Sequence, residues 1–233
     1  MIIEIILLGI FVLYVPINYL VMLLSSLTFK PKIPQAKGLP KVSVIIATKN
    51  EENAIEATLR AVRRSNYPKD KLEIIVVDSS TDNTAKIAKK HADKVIVDRK
   101  SSKAAALNIG VRASKSDILY FLDGDSVVER NTIRTLVSGL SADYPVSTGM
   151  LLMRRGKALS LKISRIQNVF LFFLIQAWLS RFAKTNFVAG RNYAIYKAEL
   201  LKLGVFQDVV SEDINLSVRL YKGKKMARYV PEA

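Results

Sequence analysis

VSVIIATKNEENAIEATLRAV, residues 42–62, and LEIIVVDSSTDNTAKIAKKHA, residues 72–92, decide the fold. Each begins with a short run rich in Val and Ile, passes through polar residues and continues as an amphipathic segment. VSVIIA (42–47) reads as a buried strand, and Ala54, Ile55, Leu59 and Val62 share one face of the helix after it. LEIIVVD (72–78) reads as a second strand, followed by a helix over TDNTAKIAKKHA. The alternation continues with KVIVD (94–98) as a strand, SKAAALNIGVRAS as a helix, and DILYFLDGDS as a fourth strand that ends in acids. Strands and helices in this order build βαβ units around a mostly parallel sheet. Ligands of open α/β sheets bind outside the carboxyl ends of the strands. There is no internal repeat and no low-complexity segment.

Composition narrows the chemistry. The chain has 233 residues, 50% hydrophobic, enough to bury a core in one domain with a small appendage. With no Cys and one His, disulfide frameworks, zinc clusters and Cys nucleophiles are excluded, so a metal would sit on oxygen ligands. The excess of 36 Lys+Arg over 20 Asp+Glu gives a net charge of +16, which suits nucleic acid or an anionic membrane surface. IILLGIFVLYVPINYLVMLL, from Ile5 to Leu24, is uncharged and long enough for a hydrocarbon core of about 30 Å at 1.5 Å per residue. It is therefore expected to be a single transmembrane helix in which Pro16 and Asn18 are tolerated. Lys30, Lys32, Lys37 and Lys41 follow it, which puts the remainder on the cytoplasmic face of the cell membrane beside anionic headgroups. Nucleic acid is not expected as a partner, because the basic residues are spread along the chain without a reader motif. KPKIPQAKGLP (30–40) reads as a linker, so the expected organisation is an anchor at 1–29, a linker at 30–40 and one domain at 41–233. IQNVFLFFLIQAWLSRFA (166–183) has too short an apolar run to span and reads as an interfacial or core helix.

The ten glycines contain no GxG pair and no GxxxxGK[ST], so neither common glycine-rich phosphate loop is present. A bound diphosphate would need a cation instead. Asp123 and Asp125 lie two apart at a strand end, so their side chains leave on one side with Gly124 between them. Two such carboxylates suit Mg²⁺ or Mn²⁺ shared with phosphates, although a lone DxD also arises from ordinary turn chemistry. Three further polar stretches could meet this one on a common rim: ATKNEEN (47–53), VVDSSTDNT (76–84) and SEDINLSVRL (211–220). Thr48, Asn50 and Glu51 equally read as a helix cap, and Glu212 and Asp213 as acids favoured by a helix dipole. Asp78 ends a buried strand, where a carboxylate can accept hydrogen bonds from a base or ribose.

Taken in order, VSVIIATKNEE, VVDSSTDNT, SKAAALNIG, ILYFLDGDS and SEDINLSVRL resemble the family-2 glycosyltransferases of the GT-A fold, in particular the membrane-bound hyaluronan, chitin and cellulose synthase relatives. The resemblance implies that Thr48, Asn50, Glu51 and Asp78 line a nucleotide pocket and that Lys103 approaches the nucleotide or its phosphates. It implies that Asp123 lies near ribose and metal, that Asp125 ligates the divalent cation, and that Asp213 in the Glu212-Asp213 pair is the general base. Gly190 and Arg191 in FVAGRNYAIYKAELLKLGVF fall on the acceptor side. The expected activity is metal-dependent, inverting transfer of a hexose-type sugar from a nucleotide-diphosphate donor, of the UDP class, to a glycan or lipid-linked acceptor. The alternatives are a noncatalytic nucleotide-binding membrane subunit and a nucleotidyltransferase on a similar fold. The QxxRW motif of the membrane-bound synthases is absent and the sole Trp, Trp178, precedes the acidic pair, so the expectation is a short nonprocessive member or an incomplete C-terminal part.

Overall fold

The computed structural model describes residues 2–31, 33, 38–151, 159–168, 173–183, 187–188 and 190–233, with the backbone alone described at 2–11, 15, 160, 164, 165, 167, 168 and 183. Much of the expected linker (32 and 34–37) and part of the expected interior helix (169–172) lie outside the described residues. The chain divides into two compact units, Met1–Lys32 with Leu151–Lys184, and Ile33–Met150 with Thr185–Ala233.

The second unit holds a seven-stranded sheet: β1 (Val42–Thr48), β2 (Leu72–Asp78), β3 (Lys94–Val97), β4 (Ile118–Asp123), β5 (Val146–Gly149), β6 (Asn192–Tyr196) and β7 (Ala227–Val230), in the order β3-β2-β1-β4-β6-β5-β7. β1 is parallel to β2 and β4, with Thr48 opposite Asp78 and Ala47 opposite Asp123, so these strands finish at one edge. β6 runs antiparallel to β4 and β5, a reversal inside an otherwise mostly parallel sheet.

The alternation of side chains along a strand sorts the core into two layers. Val42, Val44 and Ile46 of β1 pack with Ile74, Val76, Tyr120 and Leu122 beneath α2 (Ile55–Arg63) and α5 (Thr132–Ser138). Ile45, Leu119, Phe121 and Tyr193 face the other way. They pack with Ala104, Leu107 and Val111 of α4 (Lys103–Ala113) and with Leu216 and Leu220 of α9 (Glu212–Lys222). Fully burying each large aliphatic side chain contributes about 1.5–3 kcal/mol, which is why the Val- and Ile-rich runs fall at the centre of the sheet. Helix α4 approaches β1 closely at Gly110, where an added Cβ would stand 2.4 Å from Ile45 Cγ2. The helix expected after β2 is short, α3 (Thr84–Ala88), and α8 (Lys197–Lys202) follows β6.

The first unit contains α1 (Ile2–Leu27), α6 (Leu159–Asn168) and α7 (Leu174–Trp178), which continues into a wider π-type turn at Leu179–Ala183. The expected single-pass anchor is corrected here: among the described residues no helix is long and apolar enough to cross a membrane. The end of α1 is committed to protein contacts. Ser25 and Ser26 are buried, α1 packs on α7, and Arg181 Nη1 donates to Thr28 Oγ1 at 2.5 Å and to Ser25 O at 3.4 Å. Within 166–183, Leu174, Gln176 and Ala177 are buried, as a packed helix requires.

Candidate active site

The carboxyl edge of β1, β2 and β4 gathers three groups of polar side chains. The first belongs to the β1–β2 pair. Thr48 and Asp78, opposite each other in register, are both buried, and Thr48 Oγ1 donates to Asp78 Oδ1 at 2.8 Å. Asp78 also accepts from Ser80 Oγ at 2.6 Å and from Ser80 N at 3.3 Å. A buried carboxylate is tolerable only with such donors. The loop after β1 turns back through Asn50 in the left-handed region (φ 57). It is tied to the loop after β2: Asn50 N donates to Ser80 Oγ at 2.7 Å, Thr81 N to Asn50 Oδ1 at 3.0 Å, and Glu51 N to Thr84 Oγ1 at 2.9 Å. These residues therefore brace one loop against another. The N-cap of α2 is Ala54, which makes no side-chain capping bond.

The second group is Asp123, Gly124 and Asp125. Asp123 follows Phe121 on the same face of β4, the face covered by α4 and α9. An added Cβ at Gly124 would stand 2.7 Å from Thr48 Cγ2, so glycine is what lets the two strand ends lie side by side. Asp125 is exposed at the rim. Burial raises the Glu51 carboxyl above its ordinary value, and Asp125, Asp123 and Asp82 push the same way.

The third group comes from α9. Its first residues, Glu212 and Asp213, sit where the helix dipole favours acids. Lys103, the first residue of α4, joins this group to the second: its Nζ lies 3.2 Å from Asp123 Oδ1 and 3.0 Å from Glu212 Oε1. Ser102 caps α4 through a 3.3 Å bond from Ala105 N and fixes where Lys103 emerges. Burial works against the Lys103 ammonium, but the two carboxylates outweigh it and hold its pKa above the usual value. Burial raises Asp123 despite Lys103 and Arg191, and Asp125 adds to the rise. Arg191 Nε stands 3.7 Å from Asp123 Oδ2. Asp213 has no ion pair among the described residues and accepts from Ile214 N at 2.8 Å. Gly190 lies directly against it, since an added Cβ would stand 2.6 Å from Asp213 Oδ2.

The structure thus places Asp123, Lys103, Glu212, Asp213, Gly190 and Arg191 in one cluster, linked by the distances above. Thr48, Asn50, Glu51 and Asp78 form the neighbouring loop pair, with Gly124 and Asp125 between. One residue of this surrounding escapes sequence reasoning. Tyr193 on β6 is 1% exposed, and burial lifts its phenol well above the ordinary value, with Glu212, Asp213 and Asp123 pushing further. Its only signal in the sequence is a polar tip within the apolar run NYAIY. Among the described residues no three acidic or histidine side chains come together as a metal-binding group. Asp123 and Asp125 offer carboxylate oxygens alone, a donor set that fits an ion completing its shell with phosphate oxygens and water.

Residues 43–201 match Glycosyl transferase family 2, and the chain belongs to that family. It is 32% identical over 225 residues to a probable glycosyltransferase, YdaM, of Bacillus subtilis (strain 168), covering 89% of this chain and 54% of that protein. It is 28% identical over 216 residues to a poly-beta-1,6-N-acetyl-D-glucosamine synthase of Staphylococcus aureus (strain MSSA476), covering 89% of this chain and 52% of the synthase. The chain therefore spans about half the length of these curated relatives. Among solved structures it is similar to the mannosyltransferase PcManGT from Pyrobaculum calidifontis in complex with GDP-Man and Mn²⁺, with a TM-score of 0.74 and 25% identity over 93% of this chain and 62% of that one. It shares the fold of S. aureus TarS in complex with UDP-GlcNAc, with a TM-score of 0.63 and 19% identity over 83% of this chain and 56% of that one.

Proposed function

We propose that this family-2 glycosyltransferase moves a sugar, with inversion, from a UDP- or GDP-linked donor to a hydroxyl of a glycan or lipid-linked acceptor. The observation that carries the reading is the Lys103 bridge, which joins the acid at the end of β4 to the acidic pair that opens α9. That bridge makes one site of a place for a diphosphate and a place for a base.

In this reading the nucleotide lies along the β1 and β2 ends, where Asp78, held in place by hydrogen bonds from Thr48 and Ser80, accepts from the base or ribose. Thr48, Asn50 and Glu51 form the adjoining wall. Asp125, with Asp123 beside it, would hold Mn²⁺ or Mg²⁺, which supplies positive charge against the diphosphate oxygens when bound. Lys103 and Arg191 supply further positive charge there. The anomeric C–O bond to the diphosphate breaks and its electron pair leaves with the diphosphate oxygen. The acceptor oxygen forms the new bond from the opposite face and gives its proton to the Asp213 carboxylate. A single base with no protein nucleophile inverts the anomeric centre, through an oxocarbenium-like transition state. General-base assistance of this kind is worth about 10² to 10⁴ in rate. Gly190 and Arg191 border the acceptor side of Asp213, and Glu212 keeps Lys103 in place.

The test is release of nucleoside diphosphate from a panel of UDP- and GDP-sugars with Mn²⁺, Mg²⁺ or EDTA, for the wild type and Asp125→Ala. Turnover that needs the metal and disappears in Asp125→Ala is the expected result. Release of pyrophosphate would instead mark a nucleotidyltransferase, and metal-independent turnover would refute the role of Asp125.

A further inference from the structure

β6 contributes one polar side chain to the floor of this site for which the mechanism above has no use. Tyr193 is paired with Phe121 in the β4–β6 register, and the two rings stack with centroids 5.0 Å apart and an interplanar angle of 24°. Phe121 precedes Asp123 by two residues on β4, so Tyr193 and Asp123 share a face of the sheet. Tyr193 also packs in the layer that contains Leu216, one turn after Glu212 on α9. Its ring is thereby fixed between the strand that ends in Asp123 and the helix that begins with Glu212 and Asp213. All three carboxylates act electrostatically on the hydroxyl.

The residue is 1% exposed, yet its hydroxyl makes no hydrogen bond to any described residue. Two other buried tyrosines of this unit are engaged: Tyr120 Oη donates to Asn192 Oδ1 at 2.9 Å and Tyr67 Oη to Pro40 O at 2.6 Å. The hydroxyl is not among the side-chain atoms sealed from solvent without a partner, as Ser65 Oγ and Ser101 Oγ are, so it remains reachable, and a bound ligand is one of the ordinary partners for such a group. We infer that the Tyr193 hydroxyl contacts the transferred sugar of the donor and helps determine which sugar the enzyme accepts. The inference rests on the glycosyltransferase reading, in which the sugar lies between the diphosphate at Asp123 and Asp125 and the base at Asp213. That is the space the Tyr193 ring underlies. A site built to hydrogen-bond a substrate hydroxyl discriminates strongly against analogues without it, because its own polar group is then left unpaired.

The test compares binding of the intact nucleotide sugar with binding of the nucleoside diphosphate alone, for the full chain and Tyr193→Phe, in Mn²⁺. UDP-GlcNAc and GDP-mannose are the probes, with UDP and GDP as their sugar-free counterparts. Phe keeps the stack on Phe121, so the thermal midpoint should stay the same or rise. Expected are unchanged nucleoside diphosphate affinity and nucleotide-sugar affinity weaker by about threefold to tenfold, the worth of one neutral hydrogen bond. Equal weakening of both ligands, or of neither, overturns the inference and leaves the glycosyltransferase reading intact. A wild type that binds none of the probes overturns both. Should Tyr193→Phe fail to fold, wild-type binding of donors that each lack one sugar hydroxyl decides. At least one must bind about threefold to tenfold more weakly than the parent, and a series that binds uniformly overturns the inference.

Discussion

Gly190→Ala tests the geometry of the proposed base without touching the base itself. An alanine Cβ at this position would stand 2.6 Å from Asp213 Oδ2, 3.0 Å from its Cγ and 3.3 Å from its Cβ. Ordinary contact begins near 3.4 Å, so the carboxylate must move by about 0.8 Å. All three side-chain atoms are crowded from one side, so rotating the carboxyl group does not relieve the clash and the side chain as a whole must shift. A misplacement of about 1 Å at a reacting group can cost on the order of 10²-fold in rate, or about 2.7 kcal/mol in the barrier. The assay is kcat for nucleoside diphosphate release at saturating donor, with donor affinity and thermal midpoint measured on the same sample. The expected result is kcat lower by about 10²-fold with donor affinity and midpoint near wild type. In the double variant Gly190→Ala/Asp213→Asn the glycine substitution should add nothing, because both changes act through one carboxylate. A kcat within threefold of wild type, or full additivity in the double variant, would refute the reasoning.

Three further outcomes follow from the packing and electrostatics. Thr48→Val removes the donor to buried Asp78 while keeping the side-chain shape, and should cost about 1.5–3 kcal/mol, read as a lower urea midpoint. No change would mean that Ser80 alone satisfies Asp78. Gly110→Ala drives a Cβ into Ile45 and should cost about 1–3 kcal/mol by overpacking, a fall in thermal midpoint of about 2–4 °C per kcal/mol. Glu51 is raised by burial and then by Asp125, Asp123 and Asp82, so its stabilising contribution is present below the unfolded pKa and lost as pH rises through the folded one. Glu51→Gln should therefore raise the thermal midpoint of the metal-free protein at pH 7 more than at pH 4, and an equal effect at the two pH values would contradict that sign.

How much of this was legible in the sequence depended on how local each feature is. β1, β2 and β4 are runs of buried Val, Ile and Leu whose ends are set by Thr48, Asp78 and Asp123, so strand and site residue were readable together. β5, β6 and β7 were not, because VSTG, NYAIY and ARYV are short and their strand character comes from pairing. β6 reaches back to β4 across the whole of 124–191. Its antiparallel direction is what puts Tyr193 beneath the acids, and no local pattern records that. The apolar amino-terminal run carried a clear helical signal, but hydropathy could not report that Ser25 and Ser26 are buried or that Ser25 and Thr28 accept from Arg181. Lys103 could be singled out from SKAAALNIG, whereas its two partners are known only once α4 and α9 are packed on the same face.

The central claim is that Asp213 acts as the base in sugar transfer while Asp125 and its neighbours hold the donor. One measurement tests it most directly: single-turnover release of nucleoside diphosphate, with donor affinity, for the wild type and Asp213→Asn. The account predicts that Asp213→Asn binds donor as the wild type does and loses about 10² to 10⁴ in rate. An Asp213→Asn enzyme that turns over at the wild-type rate would contradict it.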